Sequence, residues 1–506
     1  MKRFLIVILF ILSIFLIYAG GGSDYEILRE ENAQLKAQLQ ELMKEVQALK
    51  QSQPKTIVKE VVKPAVDVEK INALKQENEQ LKSQLMQIQD EMKAMKEVVS
   101  DLAKQQKQIN QKLPTFKDLF QSKYKVKFYG YIKFDAIWNS SKVAALDGAS
   151  FWALPKNSTN AHDDEFSMTA RQSRLGFIVQ GPKDDVIKKM ARLEMDFYGA
   201  NDRPERGDRA HLRMRHAYLK LDFPNDWSLL AGQTWDVVSP LAPHILDFGV
   251  RASCGDMAYR SPQIRLTKIF RLKKEKQVKV ELALSDPKDA FDRWDWVNVP
   301  SGSLGHAQDS GLPFAQARVS VKFNNWTDKP MELGLSGFYG KTEYDVFINN
   351  DKSHERVDAW AGNVDYQIPL TEKLKLIGEA HYGSNLGTMY GGIGETVVIA
   401  NPFGGRSMDV YPIRSYGAWT QLLAKINKKW SASIGYGFTK NDDDVFKKDT
   451  LGVNYRKYNR AIFGNVFYNI TKDVMAGFEL THYLTSYSNG DNGKALRAMF
   501  SLIYKF

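Results

Sequence analysis

Apolar and polar positions follow three successive patterns along the chain. Residues 1–20 form an apolar block behind a basic start: "MKR", then "FLIVILFILSIFLIY", then "AGGG". A basic start, an apolar core and small residues are the layout of a secretory signal peptide, with cleavage expected near Ala19 or Gly20; an uncleaved membrane anchor is the alternative. No cysteine stands at the cleavage position, which excludes a lipoprotein anchor.

The second pattern repeats every seven residues. In a first segment, 21–52, Leu28, Leu35, Leu42 and Leu49 occupy one heptad position, and Tyr25, Asn32, Leu39 and Val46 the other. Pro54 and Pro64 interrupt it and predict an extended linker over 53–70. A second segment, 71–114, places Ile71, Asn78, Leu85, Met92, Val99, Gln106 and Leu113 at a, and Leu74, Leu81, Ile88, Met95, Leu102 and Ile109 at d. An apolar a/d stripe sustained this long predicts a coiled coil of about 65 Å. "LREENAQLKAQL" and "LKQENEQLKSQL" are near copies, each with an asparagine at a, Asn32 and Asn78. A buried asparagine costs stability but fixes register and partner number. An amphipathic helix packed on a globular domain is the alternative, but no globular core lies nearby.

From about residue 124 the period becomes two. Val278, Val280, Leu282 and Leu284 alternate with Lys279, Glu281 and Ala283. Trp430, Ala432, Ile434, Tyr436 and Phe438 alternate with Ser431, Ser433, Gly435 and Gly437. The last strand, "KALRAMFSLIYKF", puts Ala498, Phe500, Leu502, Tyr504 and Phe506 on one face, and Arg497, Ser501 and Lys505 on the other. Sixteen such strands start near 125, 166, 187, 209, 227, 258, 276, 313, 330, 355, 373, 414, 430, 456, 473 and 495. Short turns ("GPKDDV", "PND", "LKKE", "NNWTDK", "LTE", "NKK", "TKD") alternate with longer loops such as 139–165, 238–257, 287–312 and 386–413. A soluble sandwich has no reason to sort its connections this way. An even strand count with sorted connections predicts an all-β transmembrane barrel of sixteen antiparallel strands over 124–506, preceded by the helical stalk. Trp227, Trp326 and Trp430 lie at short turns, where an aromatic girdle would run.

Charge and chemistry narrow the picture. The net charge of +11 favours anionic partners. The basic residues are spread through strands and stalk, which argues against nucleic-acid binding. Cys254 is the only cysteine, so no intrachain disulfide forms. The histidines are scattered without metal-ligand spacing, and no catalytic or phosphate-loop motif occurs, so neither enzyme activity nor a cofactor is expected. "NDDDV" (441–445) reads as a solvated loop rather than a cation site.

If Leu175, Phe177 and Val179 face lipid, Gln172 and Arg174 point inward. Leu193, Met195 and Phe197 outward put Arg192, Glu194 and Asp196 inward. Leu212, Met214 and Tyr218 outward put Arg213 and Arg215 inward. Arg174, Arg192, Arg213 and Arg215 then come from neighbouring strands and can form one basic ladder. Guanidinium groups lining water stay charged and pair with carboxylate or phosphate. Alternatively, Glu194 and Asp196 neutralise them as a structural lining. The third long loop, "VSPLAPHILDFGVRASCGDMAY", is expected to fold into the lumen, with Arg251 as a constriction candidate; an ordinary external loop is the alternative.

The segments "FYGYIKFDAIW", "TARQSRLGF", "LEMDFYG", "RMRHAYLKL", "LLAGQTW", "ILDFG" and "YRSPQIRLTK" resemble the DcaP-like porins. The resemblance covers the first six strands well and the rest only by pattern. It implies a trimeric sixteen-stranded outer-membrane channel with an N-terminal coiled coil, set in outer-membrane lipid of a diderm bacterium with its stalk in the periplasm. It further implies uptake of small anionic solutes, dicarboxylates foremost. The terminal strand with Tyr504 and Phe506 is similar to those that serve the outer-membrane insertion machinery. The rival reading is structural: a stalk that tethers the membrane to peptidoglycan or sets envelope spacing, with the barrel as its anchor.

Overall fold

The structure is a computed structural model. It describes residues 124–146, 148–158, 161–182, 185–199, 210–257, 259–273, 275–287, 307–324, 326–348, 351–400, 409–449 and 452–506, together with scattered positions between 72 and 104. Those scattered positions, Asn78 among them, are helical and exposed in the single chain. The signal segment, the first heptad segment with Asn32 and the linker lie outside the described residues.

Sixteen strands make one antiparallel barrel. They are β1 (Lys125–Asn139), β2 (Glu165–Thr169 and Arg174–Gln180, one strand broken by a turn), β3 (Lys188–Asp196), β4 (Arg213–Phe223), β5 (Trp227–Trp235), β6 (Arg260–Arg271), β7 (Gln277–Ser285) and β8 (Phe314–Asn324). They continue with β9 (Pro330–Ile348), β10 (Asp351–Pro369), β11 (Leu374–Ser384), β12 (Arg414–Lys425), β13 (Trp430–Asn441), β14 (Arg456–Asn469), β15 (Val474–Tyr487) and β16 (Asn492–Lys505). Each pairs with its neighbours in sequence, and β16 closes on β1, from Tyr131 opposite Lys505 to Asn139 opposite Arg497. Every expected strand start falls within four residues of the observed one.

The alternation sorts the two faces as lipid demands. Leu282, Leu284, Ile434, Phe478, Phe500 and Leu502 are exposed on the outside, whereas Glu281, Glu479, Arg497 and Ser501 are buried inside. Lipid offers no hydrogen-bond partner to an open edge, so closure satisfies every strand. Phe506 completes it: its backbone exchanges hydrogen bonds with Gly130, and its ring stacks on Phe128 at 5.3 Å. Only glycine fits at 130, since a Cβ there would meet the Arg174 carbonyl at 2.3 Å and the Phe506 ring at 2.9 Å. Trp227, Trp326 and Trp430 stand exposed at the short-turn end.

One inward–outward assignment needs correcting. A bulge on β4 sets His216 opposite Glu194 and Met214 opposite Met195, leaving Arg215 as the extra residue. Both Arg215 and His216 are therefore buried inside, and the alternation changes phase. Tyr218 does not face lipid: it sits opposite inward Arg192 and 6.2 Å from the His216 ring, while Leu219 is the exposed residue.

Candidate functional site: an arginine wall facing a folded-in loop

In the loop between β5 and β6, residues 236–257 lie inside the barrel. It walks along the inner wall by hydrogen bonds. Val237 N donates to Gln316 Oε1 on β8 (2.7 Å), and Leu241 N to Glu379 Oε1 on β11 (2.8 Å). His244 N donates to Gln421 Oε1 on β12 (2.7 Å), and Leu246 N to Glu479 Oε2 on β15 (2.7 Å). On the far side Lys133 of β1 donates to the Leu246 carbonyl (2.7 Å), and Arg497 of β16 pairs with Asp247 (3.2 Å). The Leu246 side chain packs among Ile137, Phe467, Met499 and Ile503. Returning, Gly255 N donates to Thr439 Oγ1 on β13 (2.9 Å). Gly255 has φ +99°, and a Cβ there would lie 2.1 Å from the Ala418 carbonyl oxygen, so this closest approach requires glycine.

Two other loops brace it. A hairpin of Val143–Leu146 with Ala149–Ala153 bends inward, and Ala149 and Phe151 pack on Ala252. Leu386 and Met389, from the loop after β11, pack on Val238 and Met257.

Arg251 lies inside this contact. It is fully buried, and its guanidinium donates to Glu479 (2.5 Å), Thr481 (2.7 Å) and Tyr483 (2.6 Å). It therefore joins the loop to β15 and does not line open lumen, because a buried guanidinium needs its carboxylate. Cys254 is equally buried, and burial pushes its thiol up to about 12, which leaves it a small packing residue.

A second contact between loop and wall is of another kind. Asp256 and Glu379 are both buried, and the Ser239 hydroxyl lies between them within hydrogen-bond distance of each, at 3.2 Å from Asp256. Among the described residues no cation pairs with either. Burial first, and Glu379 second, hold the Asp256 carboxyl well above the ordinary carboxylate range. A carboxyl raised in the docked loop binds its proton more tightly there than in the undocked loop. Docking is thus fully supported below the ordinary carboxylate pKa and loses support as pH rises through the raised value. Single-channel recordings should show loop-opening noise growing toward alkaline pH, with Glu379→Gln flattening that dependence. A pH-independent trace in the unaltered protein would refute the role.

The structure brings the four arginines together around two carboxylates. Arg192 of β3 bonds Glu194 at 2.6 Å and Arg174 of β2 approaches the same carboxylate at 3.4 Å. Arg213 of β4 grips Asp196 with two bonds, 3.0 and 2.7 Å. Arg215 bridges both carboxylates, at 2.9 Å to Glu194 and 2.8 Å to Asp196. Four guanidinium groups share two carboxylates, so neutralisation is incomplete and two net positive charges remain. The side chains differ in access: Arg215 is 4 % exposed, whereas Arg174, Arg192 and Arg213 are 21, 29 and 32 % exposed. Arg215 is a wedge, and the other three are partly exposed on the inner wall.

Aromatic faces hold the guanidinium planes. Arg174 lies over Tyr131 (5.1 Å), Arg192 over Tyr129 (5.4 Å), and Arg213 over both Tyr198 (5.5 Å) and Phe248 (5.2 Å). Phe248 belongs to the folded-in loop and stacks on Tyr198 at 4.3 Å, which brings that loop against the arginine wall. Sequence reading missed these rings and Arg171, which bonds the Phe197 carbonyl and lies 5.0 Å from the centre of the Tyr198 ring. The signal was available, since Tyr129 and Tyr131 share the inward parity of Lys133. Among the described residues no cluster of three or more His, Cys, Asp or Glu is placed to hold a metal ion.

A closed sixteen-stranded barrel with an apolar outer belt and a charged, loop-constricted interior has the architecture of an outer-membrane porin. Residues 61–290 match the model of the DcaP outer membrane protein family, and the fold is that of outer-membrane β-barrel channels. The outer membrane channel DcaP of Acinetobacter baumannii superimposes with a TM-score of 0.58 at 19 % identity, over 76 % of this chain and 97 % of that one. An anion-selective porin from Comamonas acidovorans aligns at a TM-score of 0.46 and 10 % identity, over 76 % of this chain and all (100 %) of that one. No curated protein sequence matches the chain.

Proposed function

We propose that this porin passes small hydrophilic anions by passive diffusion, with dicarboxylates as the favoured class. The observation that carries the reading is the arginine wall: three solvent-reaching guanidinium groups, under-neutralised by their two carboxylates, beside a loop that narrows the lumen. Two fixed charges spaced along neighbouring strands suit a solute with a carboxylate at each end. In this reading Arg251 sets the constriction indirectly, by holding the loop. The heptads with Asn32 and Asn78 support a homotrimer whose stalk stands in the periplasm, and sedimentation of the full chain in detergent tests the copy number.

The decisive experiment is the reversal potential of the purified full chain in a planar bilayer under a potassium chloride gradient. The expected result is a stepwise conductance that favours chloride. A potassium-favouring potential would overturn the anion reading, and well-folded protein without conductance would overturn the channel reading.

A further inference from the structure

The inner wall near the short turns carries a second basic region, on the other side of the barrel from the arginine wall. A cavity of about 270 Å³ opens there beneath the tip of the folded-in loop, bordered by His244 and by the turn-side ends of β10 to β14. Lys373, Lys375 and Lys425 line it, with Ser431 between them. Lys375 and Lys425 share the inward parity of Glu379 and Gln421, each four residues away on the same strand. Lys375 donates to Gln367 (2.6 Å), a neutral partner, and neither Lys373 nor Lys425 has a carboxylate partner among the described residues. The one acid on the lining, Glu372, is taken by Lys329 at 3.2 Å. Lys505 adds a further positive charge close to His244. Burial first, and Lys505 second, lower the His244 pKa, so the imidazole stays neutral and adds no charge of its own.

We infer that this cavity is a second anion site, which takes a small oxyanion with two negative charges between Lys373, Lys375 and Lys425 at the turn-side mouth. Two features distinguish it from the arginine wall. The wall is built on β2 to β4 and its guanidinium groups are tied to buried carboxylates, whereas the cavity is built on β10 to β14 and its ammonium groups are not. Lysine here is a mobile point charge, not a fixed fork, so the site is selective for charge and tolerant of shape. Apolar walls and the overlying loop concentrate the field that open water would screen within about 8 Å at physiological salt. An anion leaving the arginine wall thus meets a second well before the mouth. The inference rests on the reading of the lumen as an anion path.

The test uses the full chain in planar bilayers, with chloride carrying the current and sulfate as the probe, added to one chamber and then the other. Sulfate should block the current more strongly from one side. In the variant Lys375→Gln with Lys425→Gln, the sulfate concentration needed for half-block from that side should rise at least fivefold, while half-block from the other side stays unchanged. Both lysines border water, so the variant should fold, and retained single-channel steps would show that it does. Equal block from both sides, or side-dependent block that survives the double substitution, would overturn the inference while leaving anion selectivity intact. A potassium-favouring reversal potential in the unaltered protein would instead remove the reading on which it rests.

Discussion

Replacing Arg174, Arg192 and Arg213 together by glutamine should reverse the ion preference of the channel. Counting only the groups paired with Glu194 and Asp196, the unaltered cluster holds two net positive charges and the triple variant, which keeps Arg215 alone of the four, holds one net negative charge, with Arg260 close to Asp196 in both. In a narrow, loop-constricted lumen a change of three charges acts at close range, with little water to screen it. The chloride-to-potassium permeability ratio should therefore fall several-fold and drop below one. The three side chains are partly exposed, so their loss should leave the barrel folded, as heat-modified mobility on a gel would show. Arg215 should behave in the opposite way. It is buried against two buried carboxylates, and removing one partner of such a cluster costs on the order of 3–5 kcal/mol. Arg215→Met should lower the melting temperature or prevent assembly rather than retune selectivity. An unchanged reversal potential in the triple variant would show that selectivity is set elsewhere.

These contrasts show which features the sequence displays. The strands were legible because lipid imposes a rule on every one of them: apolar outward, anything inward, no edge left open. Phe500, Leu502 and Tyr504 obey it within a few residues of sequence, so a local pattern suffices. The bulge at Arg215 was not legible, because one extra residue leaves no trace in a strand whose inward side already mixes arginine with histidine. Arg251 was misplaced for a different reason. Its environment is supplied by Glu479 and Tyr483, more than two hundred residues away, and nothing local tells a buried, paired guanidinium from one that lines a pore. The inward hairpin at Phe151 was equally hidden, since loops carry no period. The arginine ladder was visible because it sits on strands, where parity alone places a side chain.

Arg251→Met should release the folded-in loop and raise the conductance. In the intact protein the guanidinium satisfies Glu479, Thr481 and Tyr483 at once, and Glu479 in turn holds the Leu246 backbone. Without the arginine, a buried carboxylate keeps Asn465 and Thr481 but loses its direct cation partner, with Lys133 acting on it only at longer range, at a cost on the order of 3–5 kcal/mol. The barrel strands are held by their own ladders, so the strain falls on the weaker partner, the loop. It should undock for a measurable fraction of time, seen as larger and noisier single-channel steps with the melting temperature of the barrel little changed. The double variant Arg251→Met with Glu479→Leu removes both charges and should recover much of the quiet state, because an apolar pair can replace a buried ion pair at little cost. Recovery in the double variant would separate loss of a charge partner from simple loss of packing, which both substitutions share. If Arg251→Met conducts with unaltered steps and noise, the guanidinium does not hold the loop, and the remaining bonds from Gln316, Glu379, Gln421 and Lys133 suffice to keep it folded inward.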